Sequence, residues 1–297
     1  MKQQSITRQF TPYEKNQLRK YGIDEGVARR YGKMPVEYIT GHVEFFGLDF
    51  LIDQRALIPR VETEEIIEKL LDEFSAQPLL KLSKLAKGRD QIPHHERERD
   101  QGVVSQKQRS KKQTDVNQTV KILEVGTGSG AVAISLAYQL EKTNQKYHII
   151  ATDIDEKALE LARKNLNYIA TKYKMKNIKS QVDFIHSDLF ANVPKEKFNA
   201  IIANLPYIPT ARIKVLDASV KDFEPWVALD GGSDGLRLIS KFLNQADKYL
   251  KDQGVILLEI DYTHPDLLKQ HFGNKYQVKT WVSSVSRCIF AKLKQKN

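Results

Sequence analysis

The sequence predicts an α/β fold: a doubly wound, mostly parallel sheet of seven strands, preceded by a short helical segment and a hairpin. Three observations carry this expectation. From Val120 onward, short apolar runs alternate with helix-patterned stretches, the arrangement of βα units around a parallel sheet. The first run ends in a glycine-rich turn that opens a helix. The last two runs stand too close together for a crossover helix, so the sheet should finish with an antiparallel pair at one edge.

Taken in order, residues 3–32 read as weakly helical, and residues 38–52, with aromatic and β-branched side chains and glycines at 41 and 47, read as a hairpin. The organisation expected is a helical segment over 1–33, a hairpin and linker helix over 34–75, a basic insertion over 76–119 and the main domain over 120–297. Strands are expected at 120–125, 148–152, 181–186, 198–204, 254–260, 276–281 and 287–293. GAVAISLAYQLEK lies between the first two. After the second comes DEKALELARKNLN, in which Ala158, Leu159, Ala162 and Leu166 follow helical spacing behind an acidic first turn. Both are crossover helices by this reading.

Composition narrows the classes. With 41% hydrophobic and 28% charged residues over 297 positions, the chain is neither disordered throughout nor collagen-like. The longest uncharged central stretch, 125–140, falls short of the roughly 20 apolar residues of a membrane span. The opening MKQQSITRQF lacks the apolar core of a secretory signal, so a cytoplasmic protein is expected. Cys288, the one cysteine, allows neither an internal disulfide nor a cysteine-rich metal site, and no metal is expected.

The 47 basic and 37 acidic residues leave a net charge of +10. Residues 76–119 hold ten Lys or Arg against five Asp or Glu, half of that excess, among Gln, Ser and His runs with no aromatic residue. A mostly disordered insertion is expected there. A solvated linker is its simpler reading, and contact with the ribosome or RNA the functional one.

Glu124 to Gly130 closes the first strand and opens the first helix. Its Gly126, Thr127, Gly128, Ser129 and Gly130 let the backbone approach a nucleotide-like ligand without Cβ collisions. With Ala131 the string also satisfies G-x-G-x-x-A, so a dinucleotide reading stays open, as does a plain tight turn. Asp153, ending the second strand, can accept from both hydroxyls of a ribose or cap the next helix, although Asp155 is better placed for the cap. Asp188, after the third strand, could reach an adenine amino group directly or through water, with Leu189 on the ring face. Plain loop roles are the alternative for both.

Asn204-Leu205-Pro206-Tyr207 follows the fourth strand beside the same crevice. It points to methylation of an amide or amino nitrogen. Such a nitrogen has a delocalised lone pair, so an enzyme must hold both N–H groups and aim what remains. The Asn204 side-chain oxygen can accept one N–H and the Leu205 carbonyl the other, while Tyr207 covers the planar group. Pro206 biases Leu205 toward an extended conformation. A turn ending a strand is the alternative.

VEYITGHVEFFGLDFLID, LIPRVETEEII, EVGTGSGAVAISLA, NLPYI and EPWVALDGGSDGL occur in an order that resembles the PrmC/HemK family of peptide chain release factor N5-glutamine methyltransferases, over about 35–63 and 120–260. The resemblance implies a Rossmann-like, class I S-adenosylmethionine-dependent methyltransferase fold, with S-adenosyl-L-methionine as donor. It implies as acceptor the glutamine of the GGQ motif of a class 1 peptide chain release factor. Gly126 to Gly130 and Asp153 match donor-binding positions, Leu189 an adenine-side position, and Asn204 to Tyr207 the acceptor tetrapeptide. Glu62-Thr63-Glu64 matches a loop near the donor. The chain departs from the family pattern at Leu205 and Val61, where proline is usual, at Asp261, where glycine is usual, and in its short N-terminal segment. The runner-up is an N6-adenine methyltransferase acting on RNA, because N-L-P-Y also resembles the motif of rRNA adenine dimethyltransferases. A noncatalytic RNA-binding protein and a dehydrogenase fit less well, the first because Asn204, Pro206 and Tyr207 are intact, the second because this turn has no role in hydride transfer.

Overall fold

The computed structural model describes residues 8–76, 118–143, 145–285 and 289–296. The expected basic insertion lies, from 77 to 117, outside the described residues, as does Cys288.

The described residues open with helices α1 (Pro12–Lys20), α2 (Glu25–Arg29) and α3 (Val36–Thr40). Thr11 and Glu14 close the start of α1 with a reciprocal capping box, and Asp24 caps α2. Phe10, Leu18, Ala28 and Val36 form a small apolar cluster among them. The expected hairpin is the antiparallel pair β1 (His42–Phe45) and β2 (Leu48–Leu51), joined by Phe46 and Gly47 at φ 51° and 72°, the left-handed pair that a two-residue turn demands. It is shorter than expected, because Tyr38 to Thr40 close α3 instead.

After α4 (Glu64–Ala76) come β3 (Val120–Val125), α5 (Ala131–Glu141), β4 (Tyr147–Asp153), α6 (Glu156–Lys172) and β5 (Val182–His186). Next are β6 (Phe198–Ala203), β7 (Ile208–Pro209), the short α7 (Thr210–Ile213) and α8 (Ala218–Lys221), and β8 (Asp230–Gly232). The chain continues through α9 (Arg237–Ala246), β9 (Leu250–Ile260), α10 (His264–Phe272), β10 (Tyr276–Val282) and β11 (Ile289–Gln295). All seven expected strands join one sheet, in the order β10-β11-β9-β6-β3-β4-β5. Only β11 runs antiparallel to its neighbours, as the short final connection required. β9 starts at Leu250, earlier than expected, because polar Lys251, Asp252 and Gln253 conceal its first turn of pairing. The β7–β8 pair leaves no alternation to read, being two and three residues long.

Both faces of the sheet are covered, and alternation along the strands sorts side chains between them. Ile122, Ile149, Ile202 and Leu257 share a core with the hairpin, α4 and α5. Leu123, Ile150, Ile201 and Ile256 share the other with α9 and Phe272 of α10.

Register fixes the rest. Val125 of β3 pairs with Thr152 of β4 and Ala203 of β6, and Ala203 pairs with Leu258 of β9. The next residues along, Asp153, Gly126, Asn204 and Glu259, therefore stand side by side, Gly126 and Asn204 just past their strands and Asp153 and Glu259 still paired on their outer edges to His186 and Phe290. The chain passes from β3 to β4 on one flank and reaches β6 on the other, so this row lies at the switch point where doubly wound sheets open a crevice.

The hairpin is fastened to α6 by polar contacts. Asp49 accepts from the hydroxyls of Tyr21 (2.7 Å) and Tyr168 (2.8 Å) and pairs with Lys172, while its own N–H donates to Tyr173. Asn165 of α6 exchanges hydrogen bonds with the backbone of Leu51 and donates to the carbonyl of Ser129 in the glycine turn. Burial works to raise the Asp49 pKa, but the Lys172 ammonium and the two hydroxyls outweigh it and hold it at about 2.

That carboxylate's contribution is present above the usual range of an aspartate and vanishes as pH falls through about 2. Asp49→Asn should therefore lower the unfolding free energy by about 1 to 3 kcal/mol at neutral pH. In urea titrations the gap between the two proteins should close at acid pH; a gap independent of pH would mean the charge contributes nothing.

Candidate active site

A cavity of about 630 Å³ opens at the carboxyl ends of the strands. Loop residues 55–60 with Thr63 line one side, and the glycine turn, Asp153, Asp188 and Leu189 another. Asn204, Leu205, Pro206 and residues 225–228 complete it. Among the described residues no group of three or more His, Cys, Asp or Glu could hold a metal ion, and no helix is long and apolar enough to cross a membrane.

The glycine turn needs its glycines for different reasons. Gly126, Gly128 and Gly130 stand at φ 79°, 55° and 80°, where a Cβ is strained. A Cβ on Gly126 would also come to 3.2 Å from Leu205 Cδ2, so this glycine lets the turn pack against the tetrapeptide. A Cβ on Gly130 would press to 3.0 Å on Ala162 and Ile134. Gly130 thus serves the packing of α5 on α6, while Gly126, Thr127, Gly128 and Ser129 line the cavity.

Two carboxylates hold this turn. Glu124 accepts from the Thr127 hydroxyl (2.7 Å) and the Ala133 N–H (3.0 Å), and is 4% exposed. Burial pushes its pKa up to about 8 against those two donors, and neighbouring Asp153 adds to the rise. Asp153 accepts from the N–H groups of Gly128 (2.8 Å) and Asp155 (3.0 Å), and burial raises its pKa as well. Asp155, as expected, caps α6 through the Lys157 N–H. At the end of β5, Leu189 adopts φ 49°, uncommon for a non-glycine, and the Ser187 hydroxyl donates to its carbonyl. Asp188 beside it is exposed.

The tetrapeptide is anchored from behind. Leu205 is buried in the α9 side of the core. The Asn204 amide nitrogen donates to Glu259 Oε2 (3.0 Å) and approaches the Thr63 hydroxyl (3.4 Å), which leaves the amide oxygen as the end turned away from the carboxylate. Tyr207 donates its hydroxyl to Glu259 Oε1 (2.8 Å) and is not among the cavity-lining residues; Asn204, Leu205 and Pro206 are. The cavity's loops are tied together by Arg60 and Glu224 (2.5 Å), with Gln54 donating to the Phe223 carbonyl and Tyr38 to that of Ala56.

Sequence reasoning passed over Glu259 and the Arg60–Glu224 pair, and placed Thr63 in a loop near the donor without giving it a contact. For Glu259 a signal existed: an acid interrupts the apolar run VILLEI one residue before its end, close to the position type that singled out Asp153.

Residues 117–296 match a family described as a methyltransferase domain. A bifunctional methyltransferase of Rickettsia felis is 31% identical over 268 residues, which is 89% of this chain and 46% of that protein. Release factor glutamine methyltransferases of Koribacter versatilis and Lactococcus lactis are 33% and 31% identical, over 82% and 91% of this chain and 68% and 79% of theirs. The chain spans 41 to 46% of the length of the first Rickettsia relatives it matches.

The raised Glu124 pKa has a measurable sign. An acid whose folded-state pKa exceeds its unfolded value supports the fold fully below that unfolded value, and this support is lost as pH rises through the folded one. Wild-type Tm should thus fall relative to that of Glu124→Gln between about pH 5 and about 8. Parallel curves would show Glu124 ionised throughout.

Proposed function

The chain belongs to the family of release factor glutamine methyltransferases, and from that premise we propose that it methylates the N5 amide nitrogen of the glutamine in the GGQ motif of a class 1 peptide chain release factor, with S-adenosyl-L-methionine as donor. The observation that carries the reading is the Asn204 amide, whose nitrogen is spent on Glu259 so that its oxygen is left to accept, one strand away from the glycine turn.

The cavity fits the donor. Gly126 and Gly128 leave backbone open where side chains would intrude, and Asp153 lines the cavity where ribose hydroxyls would lie. Asp153 would accept from the ribose, Asp188 from the adenine amino group, and Leu189 would pack on the base. Bound S-adenosylmethionine supplies an electrophilic methyl group on a sulfonium sulfur. Asn204 Oδ1 and the Leu205 carbonyl would each accept one N–H of the acceptor amide, which aims its nitrogen and holds it still. Leu205 in place of the usual proline keeps that carbonyl, and its buried side chain supplies by packing the stiffness a ring would give. The positive excess over 76–119 supports a contact with the ribosome or RNA through that segment.

Incubation of a purified class 1 release factor with the protein and S-adenosylmethionine should add one methyl group to the GGQ glutamine, read by mass spectrometry of the tryptic peptide. Methyl label in adenine of ribosomal RNA, with the factor unmodified, would transfer the proposal to the RNA enzyme. Asn204→Ala should lower turnover by about two orders of magnitude, in line with the roughly 2.7 to 4 kcal/mol of other positioned polar groups, and change binding of S-adenosylhomocysteine little. Asp153→Ala should instead weaken that binding by about 1.5 to 3 kcal/mol in calorimetry. Equal affinity would leave Asp153 only its loop contacts.

A further inference from the structure

Glu259 has no part in the donor pocket or the acceptor contacts proposed above, yet it is the point at which three segments meet. Its side chain is 2% exposed at the end of β9. Oε2 accepts from the Thr63 hydroxyl (2.6 Å) and the Asn204 amide nitrogen (3.0 Å), and Oε1 from the Tyr207 hydroxyl (2.8 Å). All three partners are neutral donors from different parts of the chain, the loop ahead of α4 and both ends of the tetrapeptide.

A carboxamide has a donor end and an acceptor end of nearly equal size, so shape alone does not choose which one faces a ligand. Here Oε2 of Glu259 accepts from both the Thr63 hydroxyl and the Asn204 nitrogen. Rotating the Asn204 amide half a turn would bring Oδ1 against Glu259 Oε2, oxygen on oxygen, and leave the nitrogen facing the acceptor, whose N–H groups it could not accept. A leucine at 259 would fill the core without burying a charge, but it would leave the amide free to turn. Because the same carboxylate holds Tyr207, both ends of the tetrapeptide are fixed, and the Leu205 carbonyl is suspended between two anchored residues.

We propose that Glu259 is the positioning residue of the acceptor site, setting the Asn204 amide orientation and the place of the Leu205 carbonyl, and so governing turnover rather than affinity. The inference rests on the reading of Asn204 as the acceptor-binding residue. Two variants separate charge from shape. Glu259→Met has similar bulk and no acceptor. Glu259→Gln can accept from Asn204 and Thr63 with its oxygen while its nitrogen donates to the Tyr207 hydroxyl.

Expected for Glu259→Met is a kcat lower by about 100-fold with KM and S-adenosylhomocysteine affinity within about threefold of wild type, and for Glu259→Gln a kcat within about tenfold. The side-chain NH₂ protons of Asn204, identified by their absence from the NMR spectrum of ¹⁵N-labelled Asn204→Ala, should exchange slowly with solvent in the wild type and Glu259→Gln, and fast in Glu259→Met. Fast exchange in the wild type overturns the proposal even if Glu259→Met fails to fold. So does a folded Glu259→Met with unchanged kcat, or one in which KM alone rises. A wild-type protein that leaves the release factor unmethylated refutes the functional reading and not the hold of Glu259 on Asn204, which the proton exchange reads with no acceptor present.

Discussion

Parallel strands that run out of a sheet together lose their ladder partners at the same level, and the residues just past that level must find hydrogen bonds elsewhere. Here the pairings among β4, β3, β6 and β9 stop at one level, and the next residues in those strands or just past them are Asp153, Gly126, Asn204 and Glu259. A slip of one residue in the β3–β6 pairing would turn each side chain to the opposite face and move the tetrapeptide off the glycine turn. The contact of Leu205 with Gly126 and the grip of Glu259 on Asn204 both follow from that pairing. So does the cavity, since β3 is the strand from which the chain winds to both flanks.

The molecule accepts a cost in stability at this edge. Glu124 and Glu259 are both buried, and burial raises both pKa values. Each carboxylate is compensated by hydrogen bonds rather than by a paired cation, an arrangement that a hydrophobic pair of the same volume would surpass in stability. What the two acids supply is connection, because each gathers hydrogen bonds from separate positions of the chain at one point. The Asp49 network on the far side of α6 differs in having the Lys172 ammonium, and there the carboxyl pKa falls instead of rising.

The fold was largely legible in the sequence because its determinants are local. Apolar runs, the helical spacing of Ala158, Leu159, Ala162 and Leu166, and the short link between the last two strands are all visible within a few residues. The glycine turn and the tetrapeptide were legible for the same reason. What escaped were contacts between residues far apart in the chain. Thr63 reaches Glu259 across 196 positions and Arg60 reaches Glu224 across 164, and neither pair has a spacing that marks it. Within the motif itself, the different task of Gly130 was hidden because a glycine required by a neighbouring helix and one that lines a cavity are written with the same letter.

The order of strands at the far edge bears on how the site comes into being. β11 lies between β9 and β10, although β10 is the earlier of the two in the chain. β10 pairs with no other strand of the sheet, so its backbone ladder waits on β11, while α10 and the Leu243 carbonyl can hold it before then. The two reach β9 as a preassembled hairpin, or β11 inserts between β9 and a β10 already resting on its helices. Either way, Phe290 comes to rest opposite Glu259 only at this closing step. During synthesis the glycine turn and its flanking strands can be made and paired while the strand that carries Glu259 still has one edge bare, so the glycine-turn side of the cavity can assemble before the side that Glu259 holds.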